Sequence, residues 1–146
     1  MKYPIKIASA MAAYYAVTGV YQNYISKYFG AQGLTDGEIG VLMAAPPLIS
    51  LIAQPVWGTL GDRARSKNAV FRLMYVASAI LVLSYLISSS FWYLLFAVLA
   101  YSFFFTALQP MNDAIVLEAL SGRPFGPIRM AGTLTFAIVS PLAGAI

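Results

Sequence analysis

The sequence predicts an all-α protein built as a bundle of membrane-spanning helices, and three observations lead to that prediction. Of the 146 residues, 60% are hydrophobic and only 10% are charged, which is too little polarity to cover a soluble domain. The hydrophobic residues collect in five segments of about 20 residues, the length that a helix needs to cross a hydrocarbon layer of ~30 Å. Apolar residues follow one another directly in these segments, whereas apolar and polar residues alternate along the strands of a membrane barrel. The five segments are 5–28, 39–60, 69–88, 91–117 and 128–146.

The first segment follows Lys2, as a signal peptide would. It is longer than the apolar region of such a peptide and contains Gln22, so we expect it to remain in the protein as a helix. Tyr14, Thr18 and Tyr21 share one face of this helix. Lining of a cavity and packing between helices both account for these side chains.

The second segment has a clear start and a polar face. Thr35 followed by Glu38 has the pattern of a capping box, which predicts that a helix begins there. Gln54 lies among the apolar residues, and three nearby prolines predict a bend. The third segment ends at the tight connection Ser88–Ser90, and Trp92 after it suits the membrane surface.

The fourth segment carries the most polar residues. Ser102, Thr106, Gln109 and Asp113 follow one another at i, i+4, i+7 and i+11, and in a helix they form one stripe. A charge at such a depth costs about 2.5–3.5 kcal/mol, so Asp113 should face the bundle interior or water. Arg129, across the next loop, is its candidate partner. Asp113 is then either a protonatable coupling carboxylate or one member of a structural Asp–Arg pair.

The stretch Ser121–Pro127 is rich in Gly and Pro, and we expect it to separate the fourth and fifth helices without being helical itself. The fifth segment reaches residue 146 without a polar flank. We therefore expect this chain to be the N-terminal part of a longer protein.

The basic residues lie on alternate connectors, which predicts the orientation. They precede the first segment, lie between the second and third, and lie between the fourth and fifth, whereas the other side has Lys27 alone. This pattern predicts a multi-pass protein of the cytoplasmic (inner or plasma) membrane with its N-terminus in the cytoplasm. The basic residues are Lys2, Lys6, Arg63, Arg65, Lys67, Arg72, Arg123 and Arg129. The net charge of +4 therefore fits lipid headgroups and not nucleic acid.

The composition also excludes several chemistries. The chain has no Cys and no His, so disulfides, thiolate metal sites and the commonest zinc ligand are absent. We expect no metal and no cofactor. The sequence contains no nucleophile–base pair and no phosphate-binding loop, so we do not expect an enzyme.

The strongest local motif joins the second and third segments. Gly58 and Gly61 would let another helix approach this end closely, and Asp62 lies at a helix C-terminus, where the helix dipole disfavours an anion. A simple basic membrane anchor would explain the positive charges but neither the glycines nor the acid. We therefore predict a functional motif made of Gly58, Gly61, Asp62, Arg63, Arg65 and Lys67.

This motif resembles the loop 2–3 signature of major facilitator superfamily transporters. The run Gly58-x-Leu60-Gly61-Asp62-Arg63 matches, whereas the following Ala64-Arg65-Ser66-Lys67 replaces the usual glycine and paired basic residues. The resemblance implies that Asp62 and Arg63 belong to a cytoplasmic gate, which locks the outward-open state against a second half of the transporter.

A second resemblance indicates a branch of that superfamily. Pro110-Met111-Asn112-Asp113-Ala114 and the run from Phe125 to Phe136 are similar to stretches of lactose-permease-like sugar, nucleoside and phenylpropionate proton symporters, although Phe125, Thr133 and Thr135 depart from the usual residues. It implies proton symport of a small organic solute of the sugar, nucleoside or aromatic-acid class, by alternating access, with the C-terminal half outside this chain. The candidate pathway residues are Tyr14, Thr18, Tyr21, Gln54, Thr106, Gln109, Asp113 and Arg129.

Two other interpretations remain open. The chain could be a small complete membrane protein that oligomerises into a transporter and uses Asp113 as its membrane carboxylate. It could also be a membrane anchor or assembly subunit, for which Asp113 and Gln109 would be dispensable.

Overall fold

The computed structural model describes residues 5–122 and 124–144, and side chains from residue 8 onward. This part of the chain forms helices and no β-strand, which confirms the predicted all-α class. The helices are α1 (Ile5–Ala31), α2 (Asp36–Arg63), α3 (Lys67–Leu83), α4 (Phe91–Phe105), α5 (Leu108–Leu120) and α6 (Gly126–Gly144), with a 3₁₀ turn at Ser84–Leu86. Lys2, Arg123, the Lys6 side chain and residues 145–146 of the fifth segment lie outside the described residues.

Three stretches of the described chain are long and apolar enough to cross a membrane. They are Asp36–Arg63, Lys67–Leu86 and Phe91–Leu120, the last of which combines α4 and α5. Large apolar side chains are exposed along all three, among them Leu51, Ile80 and Phe96, as expected of a surface that meets lipid. The chain is a multi-pass membrane protein.

The predicted capping box opens α2. The Thr35 hydroxyl accepts a hydrogen bond from the Glu38 backbone N–H at 3.4 Å, and the Thr35 backbone N–H donates to Glu38 Oε2 at 2.8 Å. Two backbone N–H groups at the helix start are thereby satisfied. Asp36 and Glu38 in this first turn also suit the positive end of the helix dipole.

Replacing Thr35 by alanine is therefore expected to lower the free energy of unfolding by about 1 kcal/mol, because the capping hydroxyl is lost. Thermal unfolding of the detergent-solubilised protein, followed by circular dichroism, measures the change. Gln32→Ala, in the same exposed loop, is the control and should change stability little. Equal stability of the two variants would contradict the role of the cap.

The fourth predicted segment is not one continuous helix, which corrects the sequence prediction. The structure ends α4 at Phe105 and begins α5 at Leu108. In an uninterrupted helix the Thr106 carbonyl would accept from the N–H of residue 110, and Pro110 has no N–H to donate. A proline ring also crowds the carbonyl four residues earlier, so Pro110 accounts for the interruption at Thr106–Ala107.

The prolines of α2 act differently. Pro46, Pro47 and Pro55 all lie inside α2, which the structure shows as one helix from Asp36 to Arg63. Two hydroxyls bind backbone carbonyls near them: Ser50 donates to the Pro47 carbonyl at 2.6 Å, and Thr59 donates to the Pro55 carbonyl at 2.7 Å. A proline inside an apolar segment therefore does not by itself interrupt the helix.

The loop before α6 is shorter than predicted. Ser121 and Gly122 have φ of 49° and 88°, the left-handed backbone that ends many helices. The helix then restarts at Gly126, so the prediction that Gly126 and Pro127 are non-helical is wrong. Proline is favourable in the first turn, because its missing N–H would have no partner inside the helix.

The chain divides into two compact units, one of residues 29–115 and one that joins residues 1–28 to residues 116–146. In the first unit, α4 packs against both α2 and α3. In the second unit, Met11, Val116, Leu120 and Ile128 form a buried cluster.

Helices α1 and α6 pack side by side in the second unit and run parallel. Three contacts along the pair each join a residue of α1 to a residue of α6 that follows it by 117 positions. The pairs are Tyr15 with Gly132, Gly19 with Phe136, and Asn23 with Ser140. Asn23 Nδ2 donates to Ser140 Oγ at 2.7 Å, and glycines allow the close approach, as is common between membrane helices.

Candidate functional site

A cavity of about 240 Å³ lies within the unit of residues 29–115. Its walls come from the C-terminal half of α2, from the first residue of α3, and from α5 together with Ala107. The lining residues are Gln54, Gly58, Gly61, Asp62, Lys67, Ala107, Pro110, Met111 and Ala114. The cavity therefore brings together Gln54, most of the predicted gating motif, and the proline that interrupts the fourth segment.

The two glycines of the motif have different surroundings. A Cβ on Gly61 would lie 2.5 Å from Met111 Cε, so α2 and α5 approach closely there, as predicted. A Cβ on Gly58 would meet nothing within 4 Å. No described residue approaches Gly58, so a close helix approach there stays a prediction, and the missing side chain keeps part of the cavity open.

The structure thus predicts that Gly58→Ala folds at least as well as the parent protein. Alanine is favoured over glycine inside a helix by about 1 kcal/mol, and the added methyl group enters the cavity without a clash. Thermal unfolding of the variant is the measurement, with Gly40→Ala, another unobstructed position in α2, as the control. A marked loss of stability at Gly58 alone would show that the cavity is filled in the folded protein.

Asp62 and Lys67 place opposite charges on the same cavity. Asp62 lies in the last turn of α2 and Lys67 is the first residue of α3, so each charge is at the helix end whose dipole disfavours it. Each is therefore a suitable counter-charge for the other. Arg63 and Arg65, the remaining charged residues of the motif, are exposed.

Trp57 connects α2 to the end of α4, and the sequence did not indicate this contact. Its indole N–H donates to the Phe103 carbonyl at 2.9 Å. Its ring centre lies 5.7 Å from that of Phe103 and 5.2 Å from that of Phe104. The available signal was a tryptophan inside an apolar segment, because a buried indole N–H requires an acceptor.

The predicted polar stripe is divided by the interruption at Thr106–Ala107. Ser102 lies on α4 and is 1% exposed, and its hydroxyl has no hydrogen-bond partner among the described residues. The Thr106 hydroxyl donates to the Ser102 carbonyl at 2.7 Å. Gln109 and Asp113 lie on α5, both half-buried, and Oδ1 of Asp113 is shielded from solvent. Asn112, 3% exposed, is a buried polar residue that the sequence analysis missed.

The candidate residues of α1 have mixed environments. Tyr14 and Thr18 are buried, and the Thr18 hydroxyl donates to the Tyr14 carbonyl at 2.9 Å, so it is used within its own helix. Tyr21 is half-buried and borders an apolar hollow formed by residues of α1 and Val139. This arrangement supports the packing interpretation for Thr18.

Arg129 lies in the first turn of α6 and is exposed. The centre of its guanidinium is 5.8 Å from the centre of the Phe125 ring, a cation–π arrangement. Asp113 and Arg129 belong to different compact units, and their pairing stays a prediction.

Comparison with known proteins identifies the family. The sequence pattern of the MFS_1 like family matches residues 5–146. This chain belongs to the MFS_1 like family. The major facilitator superfamily predicted from the loop motif is thereby confirmed.

Two relatives of this MFS_1 like chain are named as transport proteins. It is 31% identical to "Maltose permease" of Geobacillus stearothermophilus over 133 residues, which cover 88% of this chain and 32% of the relative. It is 26% identical to "Uncharacterized transporter YwbF" of Bacillus subtilis (strain 168) over 118 residues, which cover 79% of this chain and 29% of the relative. The chain thus spans about a third of the length of the relatives that it matches. No solved structure matches it.

Proposed function

We propose that this chain supplies the N-terminal spanning helices of a secondary transporter that moves a small organic solute together with protons. The observation that carries the proposal is the cavity in which the residues of the gating motif meet Gln54 and α5. Membership of the MFS_1 like family and similarity to two transport proteins support it. The rest of the transporter would come from a second half outside residues 1–146, as the lactose-permease-like branch requires.

Transport would follow alternating access in the cytoplasmic membrane, with the N-terminus in the cytoplasm. In this orientation the motif cavity opens near the cytoplasmic surface, between the basic connector of α2 and α3 and the end of the fourth span. Rocking of one transporter half against the other exposes a midplane site to each side in turn. Asp62 and Lys67 place opposite charges on the cavity wall, and an attraction between them would hold one of the two states.

A sugar is the favoured solute. The relative with 31% identity is named a maltose permease, and the polar candidates Gln54 and Gln109 carry amide groups, which suit a polyhydroxylated ligand. Nucleosides and aromatic acids are the competing classes that the branch resemblance allows.

The test is uptake of radiolabelled maltose, a nucleoside and phenylpropionate by cells that express the gene encoding this chain and lack their own uptake systems. We expect saturable accumulation of the sugar that a protonophore abolishes. Equal uptake with and without the protonophore would contradict proton symport, and accumulation of none of the three solutes would contradict the proposed function.

Residues 1–146 alone are expected not to transport. The polypeptide is reconstituted into liposomes with an imposed proton gradient, and solute accumulation is compared with that of empty liposomes. We expect no difference, because half of an alternating-access site is absent. Coupled accumulation would instead favour the interpretation as a small complete protein that oligomerises into a transporter.

A further inference from the structure

An asparagine and a serine form a polar pair where α1 and α6 pack side by side. Asn23 Nδ2 donates to Ser140 Oγ and to the Gly19 carbonyl, both at 2.7 Å. The Gly19 carbonyl can only accept a hydrogen bond, which fixes the orientation of the Asn23 amide. The Asn23–Ser140 pair lies within the unit that contains α1 and α6.

A tyrosine holds the α6 side of the Asn23–Ser140 pair. The Tyr24 hydroxyl donates to the Ser140 carbonyl at 2.7 Å. Gly144, one turn further along α6, leaves room for this hydroxyl, because an added Cβ there would overlap it. Three hydrogen bonds therefore fix the pair in position before any ligand arrives.

The pair has one acceptor and one donor to spare. Both amide protons of Asn23 are used, and no described residue donates to its Oδ1. Ser140 Oγ accepts from Asn23, and no described residue accepts the proton of that hydroxyl. Asn23 is exposed and Ser140 is half-buried. Facing lipid, both groups would stay unsatisfied at a cost in free energy, so they indicate a polar partner.

An apolar hollow of about 470 Å³ adjoins the pair. Val20, on its wall, precedes Asn23 by one turn of α1, and Val139, also on the wall, is next to Ser140 in α6. Tyr21 adds an aromatic ring to the same wall. An apolar wall with a few fixed polar groups at its edge, in this range of volumes, is typical of sites for small organic molecules.

We propose that Asn23 Oδ1 and the Ser140 hydroxyl bind hydroxyl groups of a sugar, whose apolar ring face lies in the adjoining hollow. A sugar hydroxyl both donates and accepts, so two neighbouring hydroxyls match the free acceptor and the free donor of the pair. An ionised aromatic acid has a carboxylate that only accepts, and it leaves Asn23 Oδ1 without a donor. This inference rests on the proposed function and names side chains that select the sugar.

Asn23→Leu tests the subsite, because leucine is close to asparagine in shape and forms no hydrogen bond. Uptake of radiolabelled maltose is measured in cells that express the gene encoding this chain and lack their own uptake systems. We expect KM to rise about tenfold, as for the loss of neutral hydrogen bonds, with the maximal rate unchanged. Thr135→Val is the control and should leave KM unchanged, since the Thr135 hydroxyl donates to the Ala131 carbonyl within α6.

Monodeoxymaltoses separate a direct contact from a structural role. Each analogue competes with radiolabelled maltose for uptake by the parent and by Asn23→Leu. A direct contact predicts one or two analogues that compete equally well with both proteins, because the hydroxyl that Asn23 would bind is already missing. If every analogue competes less well with Asn23→Leu by the same factor as maltose, the residue acts on structure alone and the proposal is overturned.

A second variant covers the case in which Asn23→Leu fails to insert. Ser140→Ala removes the free donor, whereas the bond from Tyr24 to the Ser140 carbonyl remains possible, and we expect KM for maltose to rise about threefold. An unchanged KM in the variants that insert, with less protein in the membrane, would overturn the subsite and show that the pair contacts another helix. Absence of sugar uptake by the parent would instead contradict the proposed function itself.

Discussion

Replacing Gly132 by alanine is expected to lower the free energy of unfolding by about 3 kcal/mol, the upper range for overpacking a tight contact. An added Cβ would lie 2.5 and 2.8 Å from two carbon atoms of the Tyr15 ring. Tyr15 packs against the buried cluster of the second unit, so its ring has little room to retreat. Helix propensity alone predicts the opposite, a gain of about 1 kcal/mol.

A double-mutant cycle isolates this contact. Tyr15→Ala removes the ring atoms that the added Cβ would meet, so Gly132→Ala should cost little in that background. Gly40→Ala, where a Cβ meets nothing within 4 Å, is the control for propensity. Thermal unfolding of the four proteins of the cycle gives the interaction energy. Additive losses would show that the Tyr15 ring is not what requires glycine at this position.

The parts of the fold that the sequence predicts are those determined by neighbouring residues. The apolar segments correspond to the helices because lipid leaves the backbone no other hydrogen-bond partner. The capping box depends only on Thr35 and Glu38, three residues apart, and it forms as predicted. Helix α2 extends beyond its apolar segment at both ends, because Asp36 and Arg63 are polar yet compatible with a helix.

The interruption of the fourth span shows where such reasoning ends. Pro46, Pro47 and Pro55 lie in an apolar segment as Pro110 does, yet they leave their helix uninterrupted. At the break, the Trp57 indole from α2 supplies a hydrogen bond to the Phe103 carbonyl. That donor lies 46 residues away in the chain, and no local sequence pattern predicts the contact.

The candidate site was likewise predictable only in part from the sequence. The motif residues Gly58, Gly61 and Asp62 border one cavity, and their joint role in a gate stays a prediction. Their opposite wall, from Ala107 to Ala114, could not be predicted, because spacing along one helix does not say which helix lies beside it. The two glycines also have different surroundings, which depend on the neighbouring helix and not on the local sequence. A Cβ on Gly61 would contact Met111, whereas a Cβ on Gly58 would meet nothing within 4 Å.

Asp113→Asn is expected to reduce proton-coupled uptake by about 100-fold in the proposed transporter, while the protein still inserts and folds. A carboxylate at the centre of a spanning helix costs about 2.5–3.5 kcal/mol, Asp113 lies nearer the end of its span and bears part of that cost, and asparagine would fill the same volume without the charge. Asp113 is half-buried on α5, with Oδ1 shielded from solvent. A group retained at that cost is expected to act through its charge or its proton.

Glu118→Gln is the matched control, since Glu118 lies on the same helix and is exposed, so its neutral form should support normal uptake. Asp113→Glu separates the two roles that the sequence left open. A coupling carboxylate needs a titratable oxygen near one position, and the longer acid should keep part of the proton-driven uptake. A structural ion pair depends on fixed geometry, so the longer acid should lose uptake and stability together. Unchanged uptake in Asp113→Asn would exclude both roles for Asp113.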